Sequence, residues 1–425
     1  MPPIIGLDEN TREYGFNASY RNNVNPYERL MSVVDKREKK TFNTSLWAEA
    51  KIIKGLTFKT LFSYNSDMRI DEYFLPANVQ PNNGSTTQGT TSTLSISRTG
   101  IQNTLTYNTT LNKKHALEIL LGQSIDERNE FRTSLGAMDY PLESVPTLNM
   151  GATPTEASSS RTIVRTSSLF GRVNYNYADK YLASASVRRD GSSRFGPGNR
   201  WAVFPSVSAG WMISEENFMK GASNWLSMLK LRTSYGQTGN SNVGYRIYDY
   251  YEVGRSAIIG GAESTGVYAS DLGNRSLTWE TTTEFNVGVD LGILNNRFKL
   301  TAEYFKRKIT DLLVTNKPLP FYNEINKIAG NIGSTQSQGV EITVNTVNIV
   351  TKDFEWDTTL TLSHYNDRWL TRDPNWKPKP YEKENDPIRA WWEYEALGIL
   401  QPGEKSSRRS KRLGSGYDEV ERPRW

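Results

Sequence analysis

The sequence predicts an all-β chain, the wall of a transmembrane antiparallel β-barrel with tight turns at one end of its strands and long loops at the other. Three observations predict it. Apolar and polar residues alternate with a period of two over about twelve segments, which places one residue class on each face of a strand. The connections between those segments alternate between short and long, as they do in outer-membrane barrels. The 425 residues are also poor in apolar side chains yet hold 22 Tyr, 15 Phe and 11 Trp. The hydrophobic share is 36%. Counted with Gly in place of Tyr it is about 38%, against roughly 45–50% in soluble domains. A disordered chain would lack the aromatics. A barrel accounts for both, since only alternate strand residues meet lipid.

In chain order, strands are expected near 41–50, 56–64, 103–111, 116–125, 168–177, 181–189, 200–213 and 229–236. The alternation is clearest further on. Phe285, Val287, Val289 and Leu291 oppose Glu284, Asn286, Gly288 and Asp290; Phe298, Leu300, Ala302 and Tyr304 oppose Lys299, Thr301 and Glu303. Val340, Ile342 and Val344 oppose Glu341, Thr343 and Asn345, and a last segment carries Trp356, Leu360 and Leu362 against Asp357, Thr361 and Ser363. Short turns at Lys51 to Gly55, Asn112 to His115, Ala178 to Lys180 and Gly292 to Asn296 interleave with long polar segments at 65–102, 126–167, 237–280 and 306–337. The brief connection 190–199 and the longer 214–228 depart from the rule.

One strand sets a length scale. Trp201, Val203, Pro205, Val207, Ala209, Trp211 and Ile213 share a face. At about 3.3 Å per residue and a tilt near 40°, Trp201 and Trp211 lie roughly 25 Å apart along the membrane normal, the height of a lipid-facing apolar band. They are the candidate membrane-interface girdle. Pro205 removes a ladder donor and predicts a bulge or local edge.

Other classes are excluded by composition. No run of 18 apolar residues exists, so no helical membrane span is expected. With no cysteine there are no disulfides, thiolate nucleophiles or Cys-containing metal sites. Lys and Arg number 51 against 46 Asp and Glu, a formal +5 that is too small an excess to indicate nucleic acid. The N-terminal residues Met1 to Asp8 have neither the basic nor the apolar region of a signal peptide.

The segment Arg188-Arg189-Asp190-Gly191-Ser192-Ser193-Arg194-Phe195-Gly196, with Asn199-Arg200-Trp201, Phe204-Pro205-Ser206 and Gly210-Trp211, closely resembles a signature of SusC/RagA-type TonB-linked outer-membrane proteins. The resemblance continues through Leu229 to Gly236 with Thr238-Gly239-Asn240, through Trp279 to Thr282, Gly288-Val289-Asp290, Asn296-Arg297 and Thr310 to Leu313, and through Asn331 to Ser334 with Gly339-Val340-Glu341. It covers about 25–400 and is most specific over 181–345. It implies a 22-stranded barrel in the Gram-negative outer membrane, of the kind found in Bacteroidetes. The barrel would be plugged by an N-terminal domain, opened by TonB and capped by a SusD-like surface lipoprotein that captures glycans or peptides. The plug and the TonB box are not in this sequence, so the chain is expected to be a partial barrel of about twelve strands that does not transport by itself.

The expected organisation is therefore a loop or partial preceding strand over 1–40, barrel wall over 41–364, an extracellular loop region over 365–404 and an anomalous basic tail over 405–425. Residues 400–425 hold seven basic and four acidic residues, +3 of the net +5, and read as a shifted or truncated reading frame.

Catalysis is not expected. His115 and His364 are the only imidazoles, read as interfacial residues, and no Gly-x-Ser-x-Gly elbow accompanies them. Glu215 and Glu216 are adjacent in a turn, where side chains diverge, and not set to flank one glycosidic bond. Gly236 to Gly239 lacks the Gly-Lys-Ser/Thr ending of a phosphate loop. No cofactor or metal is expected. The candidate substrate-binding residues are loop aromatics, Tyr248, Tyr250, Tyr251, Trp391 and Trp392, since aromatic faces stack on sugar rings while hydroxyls hydrogen-bond. The competing expectation is a soluble, secreted β-rich glycan-binding protein with its apolar faces buried between two sheets.

Overall fold

The computed structural model describes residues 26–79, 86–319, 325 and 327–390. Among the described residues a short helix, α1 (Pro26–Ser32), precedes sixteen strands. Twelve of them form one antiparallel sheet: β1 (Val34–Ile53), β2 (Leu56–Leu75), β3 (Gln88–Leu111), β4 (His115–Met138), β5 (Thr153–Tyr177), β6 (Tyr181–Ser192), β7 (Trp201–Met212), β8 (Leu226–Asn240), β11 (Glu280–Ile293), β12 (Phe298–Thr310), β15 (Ser334–Val350) and β16 (Glu355–Thr371). They follow one another in chain order, with β1 and β16 as terminal strands. Two hairpins stand outside that order, β9 (Tyr250–Ile259) with β10 (Ala262–Asp271), and β13 (Leu313–Pro318) with β14 (Lys327–Asn331). Each of the twelve expected segments falls on one of the twelve sheet strands, 200–213 overrunning β7 by one residue at each end.

The short turns fall where expected, and they use left-handed backbone to reverse the chain. Gly55 has φ 86°, while Asn112, Lys113, Ala178, Asp179, Leu294, Asn295 and Asn296 adopt φ between 50° and 62° without being glycine. Right-handed strand twist selects such turns, and the non-glycine residues bear the steric cost.

Much of the length assigned to long loops is strand. β2 runs on to Leu75 and β3 begins at Gln88, inside the expected loop 65–102; β4 runs to Met138 and β5 begins at Thr153, inside 126–167. A bilayer-spanning strand needs about 9–11 residues, whereas β1 to β5 have 20, 20, 24, 24 and 25. Their outer portions are rich in charge and so read as polar loop, although Asp67, Met68, Arg69, Ile70 and Asp71 still alternate. The backbone ladder continues through them, and ion pairs line it: Arg37 and Arg69 both meet Asp71, at 2.5 and 2.8 Å, and Lys39 and Arg98 both meet Asp67, at 3.7 and 3.4 Å. Pro205 lies inside β7, where Val187 faces it in unbroken register, and the β7–β8 ladder begins only at Ser206, so Pro205 occupies the expected local edge and no bulge forms.

The chain divides into two compact units, residues 1–105 with 122–168, and residues 106–121 with 169–425. In the first, Phe74, Ala137 and Tyr140 form a small buried cluster backed by Leu148 and Met150. In the second, Phe195, Phe204, Val243, Ile247, Leu277, Trp279 and Ala329 form a core at the long-loop end of the strands.

Candidate functional site

Register in the second unit sorts β6, β7, β8, β11, β12, β15 and β16 into two chemically different faces. Tyr181, Trp211, Leu231, Val289, Ala302, Ile342 and Leu362 pair in sequence across all seven strands. A parallel row joins Ala183, Ala209, Thr233, Val287, Tyr304, Val340 and His364. Leu231, Val340 and Leu362 are 39%, 43% and 55% exposed, so this apolar face is not buried between two sheets as a soluble sandwich requires. A continuous apolar surface of this extent marks contact with a membrane.

The opposite face is polar. One row reads Leu182, Gly210, Arg232, Gly288, Glu303, Glu341 and Ser363. Arg232 reaches two strands sideways to put Nη2 2.6 Å from Glu303 Oε2 and Nε 3.3 Å from Asp290 Oδ2. Gly288 makes that reach possible, because a Cβ there would stand 2.9 Å from the guanidinium carbon. The same face carries hydrogen-bonded chains of small polar groups. Asn174 donates to Glu118 at 2.8 Å and accepts from Ser184 at 2.7 Å, and the hydroxyls of Ser186 and Ser206 meet at 2.6 Å. A concavity of about 690 Å³ opens there among Asn108, Asn174, Ser184, Ser208, Lys230 and Asn286. Its lining mixes amides and hydroxyls with Glu118, Lys230 and Arg232 and with Leu117, Leu182 and Ala183. No cluster of metal-ligating side chains occurs among the described residues.

Trp201 and Trp211 sit at opposite ends of β7 on the apolar face. At the turn end, rings follow one another from strand to strand: His115 tilts against Tyr177 at 4.9 Å, and Tyr177 stacks on Tyr181 at 6.2 Å and Tyr181 on Trp211 at 6.5 Å. Glu216 closes this row by accepting from the Tyr181 hydroxyl (2.6 Å), Trp211 Nε1 (3.2 Å) and Lys180 Nζ (3.1 Å). The Tyr181 hydrogen bond, then those from Lys180 and Trp211, hold its carboxyl below the usual glutamate range. At the long-loop end the Arg189 guanidinium lies 4.8 Å from the centre of the Trp201 ring, which folds over Gly191.

The motif residues of 188–211 mostly serve the loop-end core. Trp279 packs on Phe195 at 5.3 Å and Phe204 at 5.6 Å, and its Nε1 donates to the Arg200 carbonyl at 3.1 Å. Any side chain at Gly239 would collide with the Phe204 ring. Asn331 donates to the carbonyls of Thr278 and Asp311, both at 2.8 Å, and accepts from the Thr278 amide at 2.9 Å. Sequence reasoning recognised these residues as a pattern and missed that they anchor loops. The signal lay in the clustering of aromatics and glycines just past the strand ends.

The expected binding residues separate. Tyr248, Tyr250 and Tyr251 are 53%, 44% and 64% exposed at the long-loop end. Tyr245 links two of them to the core. It accepts from the Tyr250 hydroxyl through its carbonyl at 2.8 Å, its ring lies 6.2 Å from that of Tyr248, and its own hydroxyl meets Ser193 Oγ at 2.5 Å. Trp391 and Trp392 lie outside the described residues, as does the basic tail.

An antiparallel sheet with one apolar and one polar face, aromatic stacks at its turns and long loops opposite defines the wall of an outer-membrane β-barrel. Residues 5–419 match the family described as TonB dependent receptor-like, beta-barrel, and the chain belongs to that family. It is 31% identical over 417 residues to TonB-dependent receptor P3 of Formosa agariphila, covering 94% of this chain and 41% of that protein. To TonB-dependent receptor SusC of Bacteroides thetaiotaomicron it is 41% identical over 207 residues, 48% of this chain and 20% of the relative. Among solved structures it resembles the RagAB peptide transporter with a TM-score of 0.75 and 25% identity, over 84% of this chain and 39% of that one. The chain thus spans about two fifths or less of the length of these relatives. Its β-barrel strands belong with those of the SusC/RagA-type TonB-dependent receptors, a family of outer-membrane barrels.

Proposed function

We propose that the protein to which this wall belongs imports oligosaccharides or peptides across the outer membrane, energised by TonB and served by a SusD-like surface lipoprotein. The observation that carries the reading is the two-faced register, in which every apolar row has a hydrophilic row behind it. Such a wall suits a wet, polar passage rather than a reaction centre, and transport through it involves no covalent chemistry. The likeness to SusC supports a glycan cargo and the likeness to the RagAB peptide transporter a peptide cargo. Both cargoes suit hydroxyl and amide linings. Tyr248, Tyr250 and Tyr251 are the proposed cargo-contacting rings of this chain, with Trp391 and Trp392 as further candidates, and Trp201 and Trp211 the proposed interface girdle. The terminal strands β1 and β16 each leave one edge without a partner among the described residues. Unpaired backbone in hydrocarbon costs several kcal/mol per group, so transport is proposed for the whole barrel and not for these twelve strands alone.

The test is uptake of fluorescent oligosaccharides and oligopeptides by cells carrying the complete gene in a deletion background, with and without TonB. Uptake of one cargo class that disappears with either deletion supports the proposal; uptake indifferent to both removes it.

A further inference from the structure

On the membrane-facing side of the second unit, three cations stand together at one end of the apolar band. Lys308, Gln336 and Arg368 pair in one row across β12, β15 and β16, and Lys306, Gln338 and Asn366 form the row beneath. The next row down is Tyr304, Val340 and His364, within the apolar face. The three basic side chains are exposed. None has a carboxylate partner among the described residues. Neighbouring positions on the same face, Tyr235 and Gln237 of β8 and Thr283 and Phe285 of β11, bring no acid either. Of the nearby acids, Glu284 is on the other face and holds Arg307 at 2.7 Å, and Asp386, whose carbonyl accepts from the Trp369 amide, turns its carboxylate to the Lys383 amide at 2.7 Å.

Height fixes what these cations meet. Lys306 and Lys308 follow Phe298 by eight and ten residues on β12, roughly 20 and 25 Å along the membrane normal at a 40° tilt. The lipid-facing band is about 25 Å tall, so both ammonium groups reach its far boundary. That boundary is the long-loop side, because Phe298 follows the tight turn at 294–296. Lys306 and Lys308 are about 7 Å apart along the strand, and Lys308 and Arg368 about 10 Å apart across β15, close enough for their flexible side chains to converge on one headgroup. The amides of Gln336 and Gln338 lie between them, and Gln336 donates to Gln338 at 3.2 Å.

We propose that Lys306, Lys308 and Arg368 form a binding site for the phosphate of a lipid headgroup in the outer leaflet of the outer membrane. The phosphate neutralises a cation cluster that the described residues leave unbalanced, and its acyl chains run down the apolar rows directly beneath. The site fixes the wall at one depth and recruits phosphorylated lipid around it.

The experiment titrates the full chain, folded in dodecyl maltoside micelles, with dioleoylphosphatidic acid and with dioleoylphosphatidylcholine, counting bound lipid by native mass spectrometry. Phosphatidic acid is expected to bind on the order of 100-fold more tightly, as three interfacial cations imply. Replacing all three by glutamine (K306Q, K308Q, R368Q) removes that preference, while replacing both lysines by arginine keeps it within about threefold. A Lys352→Gln variant, in the turn at the other end of the strands, leaves it unchanged. Circular dichroism establishes that each variant is folded. Equal binding of the two lipids by the unaltered chain overturns the proposal without recourse to any variant. So does a preference that survives the triple substitution, or displacement of phosphatidic acid by an equal concentration of inorganic phosphate, which would mark a soluble-anion site.

Discussion

Leu277→Ala tests whether the loop-end core anchors the loops. Leu277 is fully buried among Phe195, Phe204 and Trp279. The substitution deletes three carbons, worth about 2.4 kcal/mol of transfer at roughly 0.8 kcal/mol each. The neighbouring rings cannot close the gap, because Trp279 is tethered through Nε1 to the Arg200 carbonyl and Phe195 is itself fully buried. A cavity therefore remains, and the cost moves to the upper part of the range of about 2–5 kcal/mol for such changes. Five of the seven core residues lie in connections and only Phe204 of β7 and Ala329 of β14 in strands, so the loss appears as local opening of the connections. Amide hydrogen exchange at 241–249 and 274–279 is expected to accelerate by about 50-fold or more, with β7, β8 and β11 unaffected. Leu231→Ala on the membrane face is the comparator, where acyl chains fill the space. Unchanged exchange in those two segments, or an effect no larger than that of Leu231→Ala, would refute the reasoning.

Glu303→Gln leaves Arg232 in a partly buried site with Asp290 alone; in urea unfolding from micelles it is expected to destabilise by about 1–3 kcal/mol. Glu72→Gln, which removes the exposed 3.7 Å pair with Lys36, is expected to change stability by less than about 0.5 kcal/mol. Glu216 has a folded-state pKa below its unfolded value, so the stability it contributes is present above the ordinary glutamate pKa and lost as pH falls through the lower folded value. Tryptophan fluorescence during acid titration should accordingly show a transition at Trp211 below about pH 4.5 that Glu216→Gln abolishes; an identical transition in the variant contradicts the assignment. Ala178→Gly relieves left-handed strain at φ 52° and should raise stability by about 0.5–1 kcal/mol, read as a shift in the urea midpoint.

The membrane-spanning part of the fold was legible because lipid on one side and water on the other impose chemical alternation, so Val287, Val289 and Leu291 announce β11 unaided. Where charge crowds a strand the rule is masked. The stretch Ser66 to Leu75 alternates over Asp67, Met68, Arg69, Ile70 and Asp71, but with Glu72 its charges make it read as polar loop; it is strand, paired with Val34 to Phe42 of β1. The hairpins β9–β10 and β13–β14 escaped as well. At the candidate site, residue types were readable and their partners were not. Gly288 looks like a neutral member of a polar face, and only register across three strands shows that it opens the path from Arg232 to Glu303. Phe204 and Gly239 are 35 residues apart in sequence, and nothing local says that one ring occupies the space of the other's missing side chain. Tyr248 and Tyr250 were singled out as sugar platforms; the ring and carbonyl of Tyr245 behind them could not be foreseen from a loop sequence.

The chain has no cysteine, which makes a direct test clean. Single cysteines placed from Thr281 to Leu291 along β11, spin-labelled and reconstituted into lipid vesicles, report collision with oxygen dissolved in lipid and with a water-soluble nickel chelate. Oxygen access is expected to peak at Phe285, Val287, Val289 and Leu291, and nickel access at Glu284, Asn286, Gly288 and Asp290, with a period of two. A flat profile, or one in which nickel reaches both sets equally, would contradict the assignment of this sheet as a membrane wall.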